Sequence, residues 1–145
     1  VERMMNGSEP YPEEVYHQGI GYEKMYECFH YDGYSLEELL AKTKISSEIT
    51  SRSAGHTLFS LLNSAHTRRF GLDKLLVTEA CELPPQTTFQ TAVVLSGSGS
   101  LVHGDEEIEI GKSNELFLPV SRLPYRWVSD GTEPLEVLIC KPPVS

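Results

Sequence analysis

Five histidines, His17, His30, His56, His66 and His103, are the side chains here best suited to acid–base or metal chemistry. None has another histidine two or four residues away, the spacings that put two imidazoles on one face of a strand or a helix, so local metal pairs are absent. His103 stands beside the turn signal Gly104-Asp105, where an exposed, turn-flanking role competes with that of a general base. His17 and His30 fall in a helical pattern and read as partly buried connector residues. Asp105-Glu106-Glu107 with Glu109 supplies carboxylates, but at a hairpin tip, where solvated charge discourages strand pairing. Gly97 and Gly99 alternate with Ser96, Ser98 and Ser100. No Lys-Ser/Thr and no helix follow them, so the anion-binding geometry of a phosphate loop is missing.

Arg126 is the cation of most interest. If Pro124 faces the inside of a barrel, strand alternation turns Arg126 and Val128 inward and Tyr125 and Trp127 outward. An inward Arg must be paired, with a carboxylate such as Glu115 or with an anionic ligand. The alternatives are an internal salt bridge, or a reversed register that leaves Arg126 in solvent. An outward Trp127 would be available to cover a neighbouring domain or subunit. Arg126, Gln90 and His103 make up the candidate ligand-binding set, and no catalytic residue is assigned.

The elements that must carry these residues change character near residue 50. Up to about Ile49 the pattern is helical. Ser35-Leu36-Glu37-Glu38 is a capping box, and Leu36, Leu39 and Leu40 follow at the spacing of one helix face. Upstream, Pro12 stands at a first helical position, with Glu13 and Glu14 near the positive end of the dipole. Val15, Tyr22, Met25 and Phe29 can form a buried face. Gly19 and Gly21 weaken the stretch by about 1 kcal/mol each, leaving one kinked helix or two short ones. These apolar residues and the three leucines are expected to fold onto the barrel wall or onto a second copy of the chain.

From about His56 short strands and turns take over. Arg69 to Leu83 alternates well enough for one long strand, ended by Pro84-Pro85. Phe89 to Leu95, a hairpin turning at Gly104-Asp105, Glu115 to Leu118, Tyr125 to Val128 and Leu135 to Cys140 complete the set. Strands at this spacing indicate an all-β sandwich or barrel.

The composition bounds what such a chain does. Its 145 residues fit one domain, or one domain with an appendage. A net charge of −9, with acidic residues scattered along the chain, argues against nucleic acid or an anionic membrane as partner. Cys28, Cys81 and Cys140 are odd in number and far apart, which fits a reduced, cytoplasmic compartment with all three buried as small apolar groups. No apolar run approaches the roughly 20 residues of a membrane span. The chain begins with Val1 where Met would be usual, and is read as a fragment of something longer.

The order VLSGSG, hairpin, IEIGKSNELFLPV, a strand with Trp127, then LEVLICKPP resembles the cupin barrel, and within it the C-terminal cupin of type I mannose-6-phosphate isomerases. The RRFGLDKLLV strand is similar to the one that opens that last barrel. The resemblance implies a mainly β fold: a double-stranded β-helix, or jelly-roll, barrel over 51–145, preceded by an α-helical connector over 1–50. Metal-binding cupins place H-x-H and a Glu just before the first glycine turn, and another His shortly after the proline of the second motif. Here Gln86-Thr87-Thr88-Phe89-Gln90 and Pro124 stand there, so a metal-free barrel is expected.

In that family zinc and the residues that handle the sugar lie in the preceding cupin. The resemblance therefore implies no cofactor in this chain, zinc only in an upstream cupin, and that cupin as partner. It also leaves room for a homodimer and for a small sugar or sugar phosphate as ligand. Two roles follow. One is the structural, cleft-completing portion of an aldose–ketose sugar phosphate isomerase, inactive alone; the other is a stand-alone, non-catalytic cupin that binds a small carbohydrate or dimerises.

Overall fold

The structure is a computed structural model that describes residues 4–5, 7 and 9–143. The chain divides into two compact units, one ending at Lys44 and one beginning at Ile45.

In the first unit two short strands, β1 (Met4–Met5) and β2 (Glu9–Pro10), pair antiparallel. Three helices follow: α1 (Glu13–Tyr16), α2 (Tyr22–Glu27) and α3 (Leu36–Thr43). Gln18, Gly19 and Gly21 all take positive φ, which no right-handed helix tolerates, so α1 and α2 are two helices and not one. The capping box forms as its sequence predicts: the Glu38 amide donates to Ser35 Oγ, and the Ser35 amide donates to Glu38 Oε2. These bonds hold the Glu38 carboxyl below its ordinary value.

None of the three helices has a buried residue, and Val15, Tyr22, Phe29, Leu36, Leu39 and Leu40 are exposed. His17 is half-buried and accepts from the Gly21 amide, but His30 and Cys28 are exposed, against the expectation that they are partly buried and buried. Helices of four, six and eight residues are too short to enclose a core of their own.

The second unit is a jelly roll of two antiparallel sheets. It holds β3 (Glu48–Arg52), β4 (His56–Leu62), β5 (Gly71–Val77), β6 (Ala80–Leu83), β7 (Gln90–Ser96), β8 (Ser98–His103), β9 (Glu106–Gly111), β10 (Glu115–Leu118), β11 (Tyr125–Ser129) and β12 (Leu135–Lys141). One sheet runs β10-β7-β12-β5-β4-β3 and the other β6-β11-β8-β9. Because β3 starts at Glu48 and its unit at Ile45, strand structure begins before residue 50. The expected long strand over 69–83 is broken at Thr78-Glu79, whose amides both donate to Gly55 O. β5 and β6 therefore belong to different sheets, and the break is where the chain turns the corner of the roll.

The interior is apolar along most of its length: Leu75, Val77, Ala92, Val94, Leu101, Ile110, Val137, Ile139 and Trp127 are almost wholly buried. The buried polar side chains, Ser60, Asp73 and Gln90, sit differently. Ser60 pairs with Asp73 across β4 and β5, Asp73 with Ile139 across β5 and β12, and Ile139 with Ala92, two residues inside Gln90. All three are thus at one end of the barrel. The tight β7–β8 connection at Gly97 brings β8 back, so its last residue, His103, and the first residue of β11, Tyr125, lie at that end too. A roll closed by hydrocarbon at one end and polar at the other has a mouth.

Candidate functional site

On the second sheet's side of this mouth, His103 and Tyr125 stack with ring centroids 4.3 Å apart and planes 19° from parallel. His103 Nδ1 is 3.3 Å from the Pro124 carbonyl oxygen, which can only accept, so Nδ1 carries the proton. Nε2 then accepts from the Ser121 hydroxyl at 3.1 Å, and Ser121 Oγ in turn accepts from the Leu123 amide. Both nitrogens of the imidazole are engaged, so it can serve as a base only by releasing Ser121. His103 is half-buried here, not exposed as its turn-flanking position suggests. The Tyr125 hydroxyl donates to Pro119 O at 3.0 Å, and burial raises its pKa.

Between the edge strands β9 and β10 this pair opens on a cavity of about 180 Å³. Its walls are largely apolar, with Leu101, Ile108, Leu116 and Phe117 among them and Glu106 at the rim. Gln90 is 4% exposed, and its Nε2 donates to Gln86 Oε1 at 2.7 Å.

Arg126 is elsewhere. Tyr125 and Trp127 are 4% and 0% exposed, so the strand has the opposite facing to that expected from an inward Pro124. Arg126 lies on the outer face opposite Glu82 of β6, in the solvent-facing register that the sequence leaves open, and away from Glu115. The reason is volume: the interior takes the indole and phenol rings and leaves the guanidinium to water. Trp127 accordingly covers no neighbour and fills the core. Of the candidate set, Gln90 and His103 come to the mouth and Arg126 does not.

Three mouth residues escaped sequence reasoning: Ser60, Asp73 and Lys141. The signal existed for Asp73, which shares the parity of Leu75 and Val77 along β5 and therefore their inward face. Lys141 Nζ pairs with Asp73 Oδ2. No sequence rule brings together strands this far apart in the chain.

No protein-family model matches the chain, and no curated protein does. Solved structures match well. The mannose 6-phosphate isomerase of Bacillus subtilis superimposes with a TM-score of 0.64 at 18% identity, over 96% of this chain and 37% of its own. The polyketide cyclase RemF of Streptomyces resistomycificus gives 0.56 at 24% identity, over 69% and 75%. A Cupin_2 domain of an XRE family transcriptional regulator from Enterobacter cloacae gives 0.54 at 13%, over 63% and 99%.

The chain has the cupin fold. At these identities the likeness is one of fold, and this chain spans little more than a third of the isomerase. The metal of metal-binding cupins does not fit the residues present. Gln86 and Gln90 are amides bonded to one another, and Pro124 has no side-chain donor. Among the described residues no three His, Cys, Asp or Glu side chains are grouped to hold an ion. No described helix is long and apolar enough to cross a membrane.

Proposed function

We propose that this chain is the metal-free cupin portion of a mannose-6-phosphate isomerase-like protein, in which it packs beside a zinc-bearing cupin and completes the wall of its cleft. One observation carries the reading. The likeness to the isomerase extends over 96% of the chain, helical unit included, whereas the likenesses to the cyclase and the regulator domain stop at 69% and 63%. A free-standing barrel has no need of the preceding helices; a connector between two cupins does. The mouth agrees with a supporting role: His103 is held at both nitrogens, and among the described residues no second acid–base group hydrogen-bonds to it. Three free thiols fit a cytoplasmic location.

The test is the whole gene product. It is expected to carry an upstream metal-binding cupin and to interconvert mannose 6-phosphate and fructose 6-phosphate in a coupled assay that chelator abolishes. The 145-residue chain alone is expected to show no turnover and no stoichiometric zinc by elemental analysis. A reading frame confined to these residues, or a full-length protein without isomerase activity, overturns the reading.

A second reading, a stand-alone non-catalytic cupin that binds a small carbohydrate or dimerises, rests on the largely apolar cavity of about 180 Å³ beside Tyr125. Its mark would be a ligand taken up by the isolated chain, or a stable homodimer, with no isomerase activity in any longer form.

A further inference from the structure

The side of the mouth away from His103 holds a second cavity, of about 330 Å³, walled by β3, β4, β5, β12 and the β4–β5 loop. Its floor is Asp73, 6% exposed, and its rim carries the Asn63 amide and the Ser64 hydroxyl. Ser60, 8% exposed, stands directly opposite Asp73 in the β4–β5 register and also lines the cavity. Lys141 closes the other side, pairing with one Asp73 oxygen while its own side chain is 42% exposed. Phe70, half-exposed, supplies an aromatic wall.

A buried carboxylate in a barrel wall costs stability unless it is paired, and Lys141 pairs with Asp73 through Oδ2. The Asp73 carboxylate and the Ser60 hydroxyl both line the cavity and offer it an acceptor and a donor. The pair also decides the charge of what can enter. Asp73 and Lys141 sum to zero, so an anion entering would meet the carboxylate and a cation the ammonium, whereas a neutral molecule meets neither penalty. Hydroxyl groups can donate to Asp73 and accept from Lys141 without breaking the pair, while a ring's C–H face lies on Phe70.

We propose that this cavity is a binding site for a neutral polyhydroxylated molecule, a free sugar or polyol, recognised by Asp73, Ser60 and Lys141. The site lies apart from the His103 cavity and does not depend on the isomerase reading. It is tested on the 145-residue chain, labelled with nitrogen-15 and titrated with D-glucose, D-fructose and sorbitol, then with glucose 6-phosphate and inorganic phosphate. Saturable amide shifts are expected at residues 58–64, 70–74 and 139–142 with at least one neutral polyol, and weaker binding of the phosphate compounds. Asp73→Asn, which keeps the shape and removes the charge, is expected to weaken binding about tenfold or more, the worth of a hydrogen bond to a charged acceptor. If that variant does not fold, Ser60→Ala decides, since it leaves the ion pair intact and is expected to reduce affinity severalfold at an unchanged melting temperature. The proposal fails if no neutral polyol gives saturable shifts, if the shifts centre on residues 101–103 and 116–125, if a phosphate ester binds more tightly than its neutral parent, or if the folded variants bind as the parent does.

Discussion

Replacing Gly99 by alanine tests the closure of the barrel. Gly99 sits on β8 opposite Ser129 of β11, and a Cβ built on it would lie 1.9 Å from the Val128 carbonyl oxygen, 2.9 Å from that carbonyl's carbon and 3.1 Å from the Ser129 Cα. Real Cβ atoms keep at least 3.0 Å from such neighbours, so the backbone of β11 must retreat by more than an ångström. β11 is held on its other side by β6 and carries Trp127 and Tyr125 into the core. Such a shift strains the packing by about 1 to 3 kcal/mol and loosens a ladder bond worth about 1 kcal/mol. At about 4 to 8 °C per kcal/mol for a unit of this size, Gly99→Ala should melt roughly 10 to 30 °C below the parent. Gly131→Ala is the control: its φ is +82 but nothing lies within 4 Å, so only the left-handed strain of about 1 to 2 kcal/mol remains. Thermal unfolding followed by circular dichroism on both variants checks the ranking. A Gly99→Ala protein that melts with or above Gly131→Ala would refute the steric reasoning.

Burial, and secondarily Glu82, push the Cys81 thiol up to about 11, whereas Cys28 is exposed. A thiol reagent at pH 8 should therefore modify Cys28 at once and leave Cys81 until unfolding; mass mapping of the labelled cysteine decides. Since the folded-state pKa of Cys81 lies above its unfolded value, the chain should lose stability as pH rises from 9 toward 11, and Cys81→Ala should flatten that part of the profile in denaturant titrations. A chain starting at Ile45 retains every strand of both large sheets and should fold alone, while one starting at residue 53 loses β3 and uncovers β4; proton spectra and light scattering separate the two, and aggregation of the longer form counts against the independence of the barrel. The single tryptophan, Trp127, is wholly buried, so native emission should be blue-shifted and resist acrylamide, and ready quenching would contradict its place in the core.

What a strand or a cap needs locally was written in the chain. β10 coincides with the segment expected from Glu115 to Leu118, and β11 and β12 extend theirs by one residue, because turn residues and alternation are properties of neighbours in sequence. The Ser35–Glu38 box formed for the same reason. The break at Thr78-Glu79 was hidden, since alternation continues through it and only the distant Gly55 carbonyl stops the strand. The facing of Arg126 was equally hidden: period two says which residues share a face, and only the competition of an indole and a guanidinium for a finite interior says which face is inside. The mouth itself belongs to the tertiary structure. Ser60, Asp73, Gln90, His103 and Lys141 are scattered over 82 residues of chain, and the register of the two sheets alone brings them to one end.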